Sequence, residues 1–279
     1  MKLACADFTW PLLPHDRVLT LIRMLDIEAL DLGLFGGRSH VRPEHVRADI
    51  PMWAGILKER ITRAGLELAD VFIQAPDFAT MAVNHPDPRQ REDAAAFFRD
   101  MLDLARRLEA PGMTILPGLR FDDESWDASI RRSADELAWR VEAAAKLGIV
   151  LSVEGHLGSN VDTPEKLARL VELTPGLKLT LDYTHFAYAG FPDAEVEPLL
   201  AHARHFHCRG AARGRLQTPF CENTIDYSRV ISKLRDLGYA GYFGIEYVWQ
   251  DWEGCNRCDN ISETIQFRDF ARAAFAESK

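Results

Sequence analysis

Cysteine is scarce: five residues in 279, too few for a disulfide framework at this length, so reduced thiols in a cytoplasm are the expectation. Long hydrophobic runs are missing as well. The longest, such as Ile149–Val153, fall far short of the ~20 residues that a membrane helix needs. Asp7 interrupts the N-terminal segment too early for a signal-peptide core. Basic charge is in deficit: 33 Lys+Arg stand against 42 Asp+Glu, a net −9, which argues against nucleic acid or an anionic membrane surface as partner. No Ser- or Pro-rich linker and no low-complexity tract divides the chain. With 47% hydrophobic and 27% charged residues the composition is that of an ordinary globular protein. Its length fits two small domains or one α/β barrel of ~250 residues.

What is present is an alternation of short apolar runs with longer amphipathic stretches. Strands are expected at Lys2–Phe8, Ala29–Leu32, Leu66–Ile73, Gly112–Leu116, Ile149–Glu154, Leu177–Asp182, Arg204–Cys208 and Tyr242–Glu246. Helical spacing marks Asp16–Leu25, Met52–Ala64, Arg89–Arg107, Asp127–Leu147, Pro164–Leu173, Tyr227–Leu237 and Ser262–Ala276, with the faintest signal around Glu195–Ala201. Thr163-Pro164 has the form of a helix start, and Gly65, Gly148 and Gly238 follow helices where a left-handed residue is needed. Eight strand–helix units without a composition break predict one domain over residues 1–279 with a parallel sheet. A doubly wound sheet would want a glycine-rich turn after the first strand, but the chain there reads Asp7-Phe8-Thr9-Trp10-Pro11. The prediction is therefore a single (β/α)8 TIM barrel, its strands apolar on both faces.

Charged residues then fall in a pattern. Glu154 ends the fifth predicted strand, Asp182 the sixth and Glu246 the eighth, and His207 lies near the end of the seventh. Taken singly, each has a plainer reading: a cap partner, an ion pair, a packed core histidine. Together they sit at four successive strand ends, which in a barrel converge on the mouth where active sites are built. Three carboxylates there need a counter-charge, and a divalent cation supplies it. Oxygen-rich ligation with one imidazole suits Mn²⁺ or Mg²⁺ better than a thiolate-loving Zn²⁺ site. His205 shares a strand face with His207 and is the minority alternative as ligand.

These residues resemble the xylose isomerase-like barrel superfamily, most closely its sugar phosphate isomerase/epimerase and ketose 3-epimerase branch. Glu154 in Ser152-Val153-Glu154-Gly155-His156, Asp182 in Asp182-Tyr183-Thr184-His185, His207 with Arg213 six residues on, and Glu246 in Gly244-Ile245-Glu246-Tyr247 match its motifs in order. The resemblance implies one divalent ion, Mn²⁺ foremost with Mg²⁺, Co²⁺ or Zn²⁺ as alternatives, held by Glu154, Asp182, His207 and Glu246. It implies Glu154 and Glu246 as proton-transferring groups, and His185 and Arg213 as contacts to substrate oxygens. The implied reaction is isomerisation or epimerisation of a sugar or polyol through an enediolate, in a homo-oligomer. One departure matters: the branch's second Glu, six residues after the first, is Asn160 here, while His156 stands two residues after Glu154. The related β-eliminating enzymes that act on 3-oxo-glycosides, including C-glycoside deglycosidases, use the same ligands with a histidine acid/base. They are the alternative, with His156 or His185 in that role. A non-catalytic, sugar-binding barrel is a third reading, against which the complete ligand set speaks.

Other residues stay open between two readings. His156 is an acid/base or substrate contact, or else a partner of the Glu154 carboxylate. Arg209 and Arg215 flank Arg213 in the same loop, and either is able to replace it as an oxygen clamp. Phe8, Trp10, Trp249 and Trp252 line a sugar pocket or pack the barrel rim, Trp10 being taken as a substrate contact. Phe35-Gly36-Gly37-Arg38 reads as a turn rather than a phosphate loop. Cys255-x-x-Cys258 has no second pair to complete a zinc site.

Overall fold

In the computed structural model, which describes residues 1–276, eight parallel strands close into a barrel in sequence order, β1 pairing with β8. They are β1 Lys2–Ala6, β2 Ala29–Leu34, β3 Glu67–Ile73, β4 Gly112–Ile115, β5 Val150–Val153, β6 Lys178–Asp182, β7 Ala203–Cys208 and β8 Tyr242–Ile245. Around them lie α1 His15–Met24, α2 Pro43–Ala48, α3 Ile50–Ala64, α4 Pro88–Arg107, α5 Trp126–Ala145, α6 Pro164–Leu173, α7 Tyr183–Ala189, α8 Asp193–Val196, α9 Tyr227–Asp236 and α10 Asn260–Ala276. The fold is the (β/α)8 TIM barrel that the alternation predicts. No described helix is long and apolar enough to cross a membrane.

Local chemistry sets most boundaries. The Thr163 side chain accepts the Lys166 N–H at the start of α6, and Gly65 ends α3 at φ 67°. The first strand stops at Ala6, two residues before the predicted end. Asp7 turns there into a short 3-10 segment, and its Oδ1 accepts the Gly33 N–H at 2.9 Å. Two helices had no apolar stripe to announce them. One is α2. The other is α7, which begins directly on the last residue of β6. The faint Glu195–Ala201 signal resolves into α8 and a 3-10 segment, Glu197–His202.

The main apolar core lies between strands and helices, where Leu151 and Val153 of β5 and Leu179 and Leu181 of β6 point outward. The barrel interior differs from the expectation of strands apolar on both faces. There Thr114 of β4 donates to Asp70 Oδ2 (2.5 Å) and bonds Thr180 of β6 (2.6 Å), which bonds Ser152 of β5 (2.9 Å). Arg204 pairs with Asp70, and His205 bonds Asp31 across the barrel (3.0 Å). These buried polar groups are tolerated because they bond one another across the barrel. Alanines 4, 29 and 69 leave the room they need.

This interior row has a consequence for the mouth. Residues two apart on a strand face the same way. Ser152 therefore aims Glu154 inward, Thr180 aims Asp182, His205 aims His207, and Gly244 aims Glu246. Gly244 is small of necessity: a Cβ there would lie 2.2 Å from Asp31 Oδ2 and 3.0 Å from His205 Nε2. Gly244→Ala is expected to destabilise the protein by about 1–3 kcal/mol through overpacking. Urea denaturation measures this, and an unchanged midpoint would mean that the interior is loosely packed there.

Candidate active site

Glu154 and Glu246 stand one residue beyond β5 and β8, yet remain on the ladder: their N–H groups donate to Ile115 O (3.2 Å) and Cys208 O (3.0 Å). Asp182 closes β6 and His207 lies within β7. The four residues lie at one end of the barrel, each no more than 5% exposed. His207 Nδ1 bonds Glu154 Oε1 at 2.7 Å and lies 3.8 Å from Glu246 Oε2. Ligating atoms of Glu154, His207 and Glu246 fall within 4.8 Å of one another, as do those of Glu154, Asp182 and His185.

Two cations balance this anionic cluster. Arg209, two residues beyond His207, reaches Glu246 Oε2 through Nη1 (2.7 Å) and Asp182 Oδ2 through Nη2 (3.2 Å). Burial alone would lower its pKa, but Glu246 and Asp182 raise it. Burial likewise disfavours charge on His207. The Glu246 charge, the hydrogen bond and charge of Glu154, and Asp31 outweigh it, and hold the imidazole at about 10. Glu154 is drawn down to about 2 against its own burial, first by the His207 hydrogen bond and then by His207, His185 and His156 charges. Glu246 is pushed up to about 7, by burial first and by the neighbouring Glu154 and Asp182, despite His207 and Arg209.

The donor set fits a divalent cation. Three carboxylates and one imidazole with its Nδ1 facing them would hold it, and the charge that it would bring is of the sign now supplied by Arg209 and the His207 proton. Behind His207, the Asp31 carboxylate lies 3.8 Å from Nε2, beyond a hydrogen bond, and its Oδ2 bonds His205 instead.

Two more histidines complete the floor. His156 Nδ1 is 2.8 Å from Leu157 O, a carbonyl that only accepts, so the proton sits on Nδ1. Nε2 is then a bare lone pair, buried and without a partner among the described residues. His185 has the opposite tautomer. Its Nδ1 accepts the Leu157 N–H (3.3 Å), leaving Nε2–H 3.6 Å from Asp182 Oδ2. Burial lowers both pKa values, His185 to about 4, so both rings are neutral near pH 7.

The floor opens into a cavity of about 480 Å³. Phe8, Trp249 and Trp252 line it, one of the two readings the sequence leaves open, together with Phe35, Phe72 and Phe78. Trp10 is buried in the main core and stands outside the lining. Arg213 also stands outside: it is exposed and packs near Gly190, whereas Arg209 occupies the floor. Asn160 turns away, its Nδ2 donating to Ser133 Oγ (2.8 Å) and Ser129 Oγ (3.3 Å) of α5. Cys255 and Cys258 are buried free thiols. Sequence reasoning passed over Arg38, Asp31 and the central place of Arg209. For Arg209 the signal existed, since it shares the strand face of His207 and His205.

The profile of the family described as "Xylose isomerase-like TIM barrel" matches residues 40–269, and the chain belongs to that family. Curated relatives include the rhizopine catabolism protein MocC of Rhizobium meliloti, 27% identical over 46% of this chain and 44% of the relative. The inosose dehydratase of Geobacillus thermodenitrificans is 26% identical over 45% and 48%. The matched region thus spans about half the length of these relatives. Among solved structures, a D-tagatose 3-epimerase-like protein superposes with TM-score 0.77 at 19% identity over 100% of both chains. The IolI protein, solved with a binding zinc atom, gives 0.74 at 16% over 100% and 99%.

The ion pairs of Arg209 make a prediction for the protein stripped with chelator. Arg209→Met leaves Asp182 and Glu246 buried without their partner and should cost about 3–5 kcal/mol. Urea unfolding in EDTA reads it; a loss below about 1 kcal/mol, the worth of a surface pair, would show that the cluster is solvated.

Proposed function

We propose that this protein is a divalent-metal-dependent sugar isomerase or epimerase that moves a proton on a carbon next to a carbonyl. The observation that carries the reading is that Glu154 groups with His207 and Glu246 on one side and with Asp182 on the other, while Glu154 and Glu246 themselves line an aromatic-walled cavity. The ion, Mn²⁺ by preference of an oxygen-rich donor set, would act as a Lewis acid toward the carbonyl and neighbouring hydroxyl oxygens. Glu154 and Glu246 exchange the proton with the substrate carbon. One carboxylate takes it from the C–H, leaving an enediolate. The other, starting as the protonated carboxyl, gives its own proton to the same carbon for epimerisation, or to the adjacent one for isomerisation, and the two groups end with their protonation states exchanged. His185 Nε2–H and the Arg209 guanidinium favour negative charge on substrate oxygens at the floor. The substrate is a small sugar or polyol. The family and the names of its relatives support a sugar-modifying enzyme, and cytoplasmic location and a homo-oligomer accompany the proposal.

The bare Nε2 of His156, in a site where Asn160 supplies no second carboxylate, favours one further reading. The same proton abstraction followed by loss of a group β to the carbonyl gives a lyase or deglycosidase on a 3-oxo-glycoside. His156 takes the α proton, the C–O bond at the β carbon breaks with its electron pair leaving on oxygen, and His156 protonates that oxygen. Incubation in D₂O separates the two: deuterium entering beside the carbonyl with the carbon skeleton intact means isomerase or epimerase, and release of an aglycone means lyase.

Glu154→Gln and Glu246→Gln are each expected to lower turnover by about 10³-fold or more with the fold intact, as circular dichroism reports. Activity within about tenfold of wild type in either would count heavily against the mechanism. Because His207 is protonated at neutral pH in the metal-free protein, Mn²⁺ binding should displace at least one proton. Apparent affinity should then rise about tenfold per pH unit between roughly pH 6 and 8. Calorimetry in buffers of different ionisation enthalpy counts the protons; none released would remove His207 from the ligand set.

A further inference from the structure

Arg38, in the loop after β2, reaches over the cavity wall and is held from three sides. Nη1 donates to Gln250 Oε1 at 2.6 Å, Nη2 donates to Gln74 Oε1, and the guanidinium lies over the Phe35 ring, 4.9 Å from its centroid. Gln74 follows β3 and Gln250 follows β8, so loops from three parts of the barrel hold one cation in place. Both acceptors are neutral amides, and among the described residues no carboxylate pairs with it. The contrast with Arg209 is direct, since that charge is spent on Asp182 and Glu246. Arg38 is open to the cavity's solvent and shares that cavity with Glu154, Glu246, His156 and His185.

This positioned guanidinium feels the charges of Glu246 and Glu154 through space but bonds neither, so its free donors face the cavity with no anion in contact. Burying a neutral ketose against it would strip its hydration with no anion in return. Two of its five N–H donors are occupied, and the remaining three suit the planar oxygens of a carboxylate. A phosphate, close to dianionic, would want a second cation or a cluster of backbone amides. No helix begins behind Gly36-Gly37 until Pro43, and no other free cation lines the cavity among the described residues.

We propose that Arg38 recognises a carboxylate on the substrate, so that the site takes a keto-acid sugar, a ketouronate, in preference to a neutral ketose. The inference rests on the proton-transfer reading of the floor for its chemistry, but on Arg38 alone for its specificity.

The test compares three probes on the Mn²⁺-loaded protein by calorimetry: D-fructose, D-fructuronate and D-fructose 6-phosphate. Fructuronate should bind at least about tenfold tighter than fructose, and in Arg38→Met the difference should fall to within about threefold. Mn²⁺ affinity, measured in the same samples, should stay within about threefold or tighten, because Arg38 acts on Glu246 and Glu154 only through space and contacts none of the four proposed ligands. Equal or absent binding of fructose and fructuronate, or a preference that survives Arg38→Met, overturns the proposal. Arg38-dependent binding that is tightest for fructose 6-phosphate also overturns it, in favour of a phosphate. Deuterium exchange from D₂O into the bound probe is read separately. Its absence with every probe defeats the proton-transfer reading, while the carboxylate preference stands or falls on binding.

Discussion

Three buried carboxylates share one barrel mouth, and each anion placed there raises the cost of ionising the others. The surrounding structure is arranged around that repulsion. Arg209 bridges Asp182 and Glu246, and His207 faces Glu154 with a proton between them. Asp31, beneath the imidazole and bonded to His205, carries the electrostatics down into the barrel. Even the row of Thr114, Ser152 and Thr180 belongs to this scheme. An interior of hydroxyls solvates the underside of the cluster better than an interior of Leu and Val would.

Much of the fold was legible because barrels repeat. Each strand announced itself as a short apolar run before an amphipathic stretch, five of them just after a glycine or proline, and all eight fall where that pattern put them. What escaped was short or paired at a distance. Helix α2 and helix α7 are too brief for a 3.6-residue stripe to register, and α7 takes its cap from a residue already assigned to a strand. The polar barrel interior was invisible for another reason. A Ser or Thr in the middle of an apolar run looks like an interruption until its hydrogen-bond partner, 28 or 66 residues away, is known.

The floor of the site was readable from strand ends alone, since strand parity decides which side chains converge. Its upper wall was not. Arg209 continues the strand face of His207, but whether Arg213 also turns inward depends on the path of the loop after it, and the placement of Arg38 depends on Gln74 and Gln250, distant in sequence. The family likeness helped with the floor, where its motifs lie. It said nothing of the wall, where the chain carries its own combination of aromatic rings, two amides and a guanidinium.

Asp182 also ties two structural levels together. It completes β6, offers Oδ2 to the site, and with Oδ1 accepts the Thr184 N–H that starts α7, the helix bearing His185. The anionic donor and the neutral imidazole three residues on are therefore mounted on one rigid bracket, with no flexible linker between them. The loops beyond Gly190 are free to drift in length and composition without altering that spacing, which is how a lineage can remodel what it grips while keeping the jaws aligned.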